Sequence, residues 1–220
     1  MTPLPALSLL ETRVLGVLVE KQRTVPDSYP LTLNALVSGS NQKTARDPVI
    51  EASEAEVQAA IDHLKSLSLV MESSGGRVMR YAHNVGKVLG VPPQSVALLA
   101  VMFLRGAQTA GELRINSDRL HRFGDILAVE GFLHELAERS DGALVRELPR
   151  LAGARETRWA HLLSGEPQVP SASGASSPGA ADAVSMSELA AMKANIDQLQ
   201  AEVAQLREAV TRISRELGIA

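Results

Sequence analysis

Apolar positions along the first part of the chain recur at helical spacing, then alternate, and after residue 84 the same succession begins again. Leu7, Leu10, Val14, Val17 and Leu18 predict an amphipathic helix over residues 7–21. Residues 24–30, with two prolines and Asp27, break it. Residues 33–37 predict a short second helix, followed by a polar loop that runs to Ser53. Ser53 with Glu56 three residues on is a capping box, and Val57, Ile61, Leu64 and Leu67 mark one face of a third helix. Residues 69–72 and 78–82 read as strands joined by a Ser74-Gly75-Gly76 turn.

In the second half, residues 95–104 form an apolar run that suits a first helix. Thr109 and Glu112 make another capping box, opening a short second helix through Leu113. Ile126, Val129, Leu133 and Leu136 give a third helix the same face as before, and residues 144–148 and 157–162 can pair as strands. A short helix, a connection and a long helix are the parts of a helix-turn-helix, and a following hairpin makes it winged. The expected fold is therefore mainly α with small β-hairpins: tandem winged-helix domains at 1–83 and 84–165, followed by a C-terminal coiled-coil helix.

Several strings carry a family resemblance. They are Tyr29-Pro30-Leu31 with Leu33-Asn34-Ala35-Leu36, Asn41-Gln42-Lys43, and Arg46 with Pro48-Val49. The second half adds Thr109 with Gly111-Glu112-Leu113-Arg114, Leu120-His121-Arg122-Phe123, Leu148-Pro149-Arg150 and Ala160-His161-Leu162. On these strings residues 4–165 resemble the YceH-like family of uncharacterised bacterial proteins, a domain-of-unknown-function group. The resemblance implies tandem winged helices and brings no established activity.

Residues 166–184 are dominated by Pro, Ser, Gly and Ala and read as a flexible linker. Beyond it Ser185 and Glu188 form a third capping box, and the heptad pattern begins. The a positions are Leu189, Ile196, Val203, Val210 and Leu217, and the d positions are Met192, Leu199, Leu206 and Ile213. β-Branched residues at the central a sites with Leu at the central d sites favour a parallel homodimer over residues 185–217.

Composition narrows the classes without choosing among them. The chain of 220 residues has no cysteine, so disulfides, thiolate metal sites and cysteine nucleophiles are excluded. The net charge is −3, which gives no bulk attraction to nucleic acid or membrane. No secretory leader and no run long enough to cross a membrane is seen, so a cytoplasmic protein without membrane partners is expected. His63, His83, His121, His134 and His161 lie in different elements, and phosphate-loop, dinucleotide and nucleophile-elbow motifs are missing. A non-enzymatic protein without cofactor or metal is the expectation.

A winged helix invites nucleic-acid binding, with the third helix in the major groove and the wing on phosphate. Candidate contacts are Lys43 and Arg46 in the first loop, Arg77 and Arg80 on the first hairpin, and Arg119 and Arg122 before the second long helix. Arg146, Arg150, Arg155 and Arg158 lie around the second wing. The leading expectation is a regulatory protein that holds nucleic acid through wings and loops. Against base reading, the two long helices carry Glu54, Glu56, Asp62, Glu130, Glu135 and Glu138. The alternative is a scaffold that binds a protein partner. Tyr29 and Trp159 are expected in the core, not at a ligand.

Overall fold

The computed structural model describes residues 4–73, 78–150 and 156–167. These belong to one compact unit, Met1–Val169. The expected coiled coil and nearly all of the expected linker lie outside the described residues, as do the tips of both hairpins.

The described residues are mainly helical, with two small antiparallel sheets. The first half runs α1 (Leu9–Thr24), a 3-10 turn (Pro26–Ser28), β1 (Leu31–Thr32), α2 (Leu33–Ser40), α3 (Glu54–Ser66), β2 (Val70–Ser73) and β3 (Arg80–His83). After α4 (Val85–Leu89), the second half runs α5 (Pro93–Arg105), α6 (Ala110–Asn116), α7 (Ile126–Ala137), β4 (Val145–Leu148) and β5 (Arg158–His161). The helix, helix, helix, hairpin order thus occurs twice.

Local chemistry explains most of the boundaries. Ser8, Ser53 and Thr109 each accept the N–H three residues on, while Glu11, Glu56 and Glu112 reach back to the cap N–H. Asp125 caps α7 by accepting from Ala128. Helix α1 begins later than the spacing of Leu7 suggests, because Leu7 precedes the cap. Its side chain is buried, and its N–H donates to the Leu163 carbonyl at 2.7 Å.

The hairpins repeat in register as well as in order. Val70 pairs His83 and Glu72 pairs Tyr81; Val145 pairs His161 and Glu147 pairs Trp159. The returning strands read Arg-Tyr-Ala-His and Arg-Trp-Ala-His. Strand β1 adds a third member through Leu31 opposite Tyr81, and Gln108 makes the corresponding bridge to Trp159. Tyr81 and Trp159 are both buried, and Tyr29 packs at the core margin with its hydroxyl accepting the His83 N–H at 2.7 Å.

One core serves both halves, with α1 packed along α5. Every residue of α5 from Ser95 to Leu104 is buried, the fate expected of a helix apolar on all sides. The two helices approach closely at Gly16, where an added Cβ would lie 2.8 Å from Leu104 Cγ. The second half's long helix departs from its expected face at one end. Val129, Leu133 and Leu136 are buried, but Ile126 on the first turn is 44% exposed.

Candidate functional site

The ten cations proposed as phosphate contacts meet different fates. Arg46 is a correction: its side chain is fully buried, with Nη1 and Nη2 on Glu20 at 3.2 and 2.7 Å and Nε donating to the Gly39 carbonyl. Burial pushes the Glu20 carboxyl upward, but the hydrogen bonds and charge of Arg46 outweigh it and hold the group below its ordinary value. Arg46 is a strut, not a phosphate contact. It fixes residues 41–53 together with Arg13, which donates to the Ser40 and Pro48 carbonyls, and Asp47, whose N–H reaches the Leu104 carbonyl at 2.8 Å. Asn41 and Ala52 clasp the two ends of that segment through paired 2.8 Å bonds.

Lys43 and Arg150 are exposed. Arg80, on the exposed side of β3, spends Nη1 on the Ser28 and Pro30 carbonyls. Arg146 pairs with Glu166, and Arg158 faces Glu112 at 3.9 Å. Arg119 is exposed and makes no ion pair among the described residues. Arg122 is 87% exposed, with Asp118 at 3.6 Å. Arg77 and Arg155 lie outside the described residues.

The long helices present acid outward. On α3, Glu54, Glu56 and Asp62 are exposed, and the nitrogen side chains beside them are engaged: His63 Nδ1 lies 2.5 Å from Glu11, and Lys65 pairs with Glu72. On α7, Glu135 and Glu138 are exposed, while His134 stands edge-on to the Trp159 ring at 5.2 Å.

Large aliphatic side chains are also exposed on α6 and at the start of α7. Ile115 is 73% exposed and Leu127 is 75% exposed, beside the half-exposed Ile126. Arg114 Nη2 donates to the Gly124 carbonyl at 3.1 Å and ties the end of α6 to the entry of α7. The intervening turn is seated by Phe123, which is buried and stands edge-on to both His121 and Phe132. The sequence holds a signal for these exposures: Leu127 follows Ile126 directly, off the stripe of Val129, Leu133 and Leu136, and Ile115 is out of phase with Leu113.

Two further concavities have other characters. A cleft of about 570 Å³ is lined mainly by apolar side chains, Leu7, Leu67, Leu89, Leu144 and Leu163 among them, with Arg139 at its wall. Arg139 spends both terminal nitrogens on the Leu89 and Gly90 carbonyls, so it closes the end of α4. A polar cleft of about 270 Å³ mixes Arg105 and Arg158 with Asp47 and Glu112. Among the described residues no group of three acidic or histidine side chains could hold a metal ion. No described helix is long and apolar enough to cross a membrane.

With this geometry in hand, residues 7–154 match the family described as "Protein of unknown function, DUF480". The chain belongs to that family. It is similar to a UPF0502 protein of Dechloromonas aromatica, 59% identical over 212 residues that cover 96% of this chain and 98% of that one. A UPF0502 protein of Leptothrix cholodnii is 58% identical over 218 residues, covering 97% and 96%. One from Burkholderia ambifaria is 57% identical over 213 residues, covering 97% and 90%. The YceH-like resemblance is consistent with this family.

Proposed function

We propose that this DUF480 protein is a non-enzymatic cytoplasmic interaction module whose two winged-helix units, 1–83 and 84–165, hold protein partners and do not read bases. The winged assignment is supported by the element order and by the bridges of Leu31 and Gln108, which give each hairpin the extra short strand of a winged helix. The observation that carries the function is the outward face of α3 and α7. A helix that enters the major groove meets phosphates on both sides, and these two bring carboxylates, while α7 has no Lys or Arg and Lys65 of α3 is already paired with Glu72. A regulatory role led by nucleic acid would have to rest on exposed cations such as Lys43, Arg119, Arg122 and Arg150, spread over loops and a strand end.

By sequence pattern alone, the heptads of 185–217 would pair two copies in parallel and double the number of interaction faces. The test is titration of the full chain with duplex DNA and with single-stranded RNA at about 50 mM salt, beside co-purification with and without nuclease. Partners that survive nuclease, with no nucleic-acid binding, are the expected result. Tight DNA or RNA binding with a steep salt dependence, weakened by Arg150→Ala, would overturn it.

A further inference from the structure

We infer that the cavity enclosed by α1, the α4–α5 connection and α5 is a binding site for a small organic carboxylate with an apolar body. The inference goes beyond partner docking and does not depend on it. The cavity has a volume of about 320 Å³, near the lower end of the ordinary range for small-molecule sites. Val19 of α1, Val91 before α5, Val96 on α5 and Leu120 from the turn after α6 form its apolar wall, so both halves contribute. The polar side chains that line it are Gln22, Arg23 and His83.

The shared frame does not require this space. In the second half Phe103, two residues before the end of α5, stands edge-on to His161 with ring centres 4.9 Å apart. The equivalent place, two residues before the end of α1, holds Gln22, whose Oε1 lies 2.8 Å from Nε2 of His83. An amide there in place of an aromatic ring leaves volume unfilled and brings polar atoms to the wall. Unfilled apolar volume costs stability, and a ligand that occupies it offsets that cost.

The free polar atoms at this wall are donors. Burial holds His83 at about 4, so near neutral pH its ring is uncharged and Nε2–H donates to Gln22 Oε1. The Gln22 amide N–H groups then have no partner among the described residues. Arg23 is exposed and makes no ion pair among them. No carboxylate of the described residues lines the cavity, and Glu20, the nearest acid along α1, is bonded to Arg46 and Lys21. A carboxylate suits this set, because its two oxygens match the guanidinium fork while its body lies on the valines and Leu120. A phosphate dianion would meet only one cation. Nδ1 of His83 has no partner, but neither has Nδ1 of His161, so that lone pair belongs to the shared frame and not to the ligand.

The experiment titrates the full chain with benzoate, phenylacetate and hexanoate, each beside its neutral amide, and follows the methyl signals of Val19, Val91, Val96 and Leu120 by NMR. At least one carboxylate is expected to bind with a dissociation constant below about 10 mM, to shift those methyls and to raise the melting temperature. Its amide should bind roughly tenfold more weakly or not at all. Arg23→Ala, at an exposed position, should weaken the carboxylate by a similar factor while leaving the fold intact. Gln22→Phe, which gives α1 the ring that α5 carries at Phe103, should fill the cavity and abolish binding without lowering the melting temperature. Binding by none of the three acids, or shifts confined to other methyls, would overturn the site. Equal affinity for acid and amide, or for the parent and Arg23→Ala, would overturn the carboxylate as its ligand. None of these results touches the interaction reading, which the nuclease and DNA titrations decide.

Discussion

The two halves of the molecule share a frame and spend it differently. Leu36 and Leu113 are fully buried in the second helices, and Ser40 and Ser117 are fully buried at their ends. Val57, Ile61 and Leu64 answer to Val129, Leu133 and Leu136 at the same distances from their caps, Ser53 and Asp125. The connections then diverge. Residues 41–53 reach across to α5 and are pinned by two buried arginines. The turn after α6 is shorter, its Leu120 sharing a pocket with Val19 and His83 of the first half, and the helices on either side of it carry the exposed Ile115 and Leu127. The first half spends its long connection on holding the unit together, and the second leaves Ile115 and Leu127 exposed beside its shorter one. This comparison can be broken at points where the halves ought to respond alike and at points where they ought not.

Acid should strike both halves together, and it should strike hardest. His83 and His161 close the two equivalent returning strands, and burial lowers each to about 4, with Arg23 adding to the effect at His83. The unfolded chain takes up these protons near 6.5, so between about 6.5 and 4 the unfolded state binds more protons than the folded one. Stability is therefore fully present above that window and falls as pH falls through it, by roughly 3 kcal/mol for each histidine. Urea unfolding across pH 7 to 4 checks this. His83→Gln and His161→Gln should each flatten the profile, and a flattening by only one of them would break the equivalence.

The second largest effect should be confined to the first half. Arg46→Ala leaves the Glu20 carboxylate without its guanidinium in a mostly buried setting and should cost about 3–5 kcal/mol. Arg122→Ala, whose partner faces it on the surface of the second half, should change stability by no more than roughly 0.5 kcal/mol. Denaturant midpoints of the two variants at neutral pH give the contrast directly. Similar losses would mean that the α2–α3 segment is not the strut described here.

Glycine substitutions sharpen the comparison at lower amplitude, with opposite signs. Gly39 sits at the end of α2 where an added Cβ would lie 2.6 Å from Val17 Cγ1 on α1. Gly39→Ala should destabilise by about 1–2 kcal/mol, the overpacking cost exceeding the helix-propensity gain. Gly131 on α7 has open space around it, at the position that Ala59 occupies on α3. Gly131→Ala should stabilise by roughly 0.5–1 kcal/mol. Thermal melts of both variants suffice, and a loss at Gly131 would reveal a neighbour that the fold does not place there.

What the sequence makes legible divides along the same line. Features carried by local chemistry are readable: the boxes at Ser53 and Thr109, the buried stripes of α3 and α7, and the paired strands. The box at Ser8 has the same signature, but the apolar Leu7 before it suggests an earlier start. Helix α4 is too short to show a period, and β1 is two residues long. The role of Arg46 cannot be read locally, because Glu20 lies 26 residues away and the backbone partners arrive only when α2 packs on α1. The exposed Ile115 and Leu127 are legible only as residues out of phase, a signal that means nothing until the buried face is known.

The smallest expected effect on stability is also the most telling about the surface. Leu127→Ala gives α7 the residue that α3 already carries at the same distance from its cap, Ala55. Leu127 is 75% exposed, so little burial is lost, and alanine favours the helix. The melting temperature should stay within the shift produced by roughly 0.5 kcal/mol. A leucine retained for folding would instead cost about 2–5 kcal/mol, the range for a core Leu→Ala change. If the variant melts like the parent, the side chain at 127 is spared from holding the second half together, and what separates α7 from α3 at that turn is a difference of surface. A large drop in melting temperature would instead place Leu127 in a packed contact and remove the main contrast between the halves.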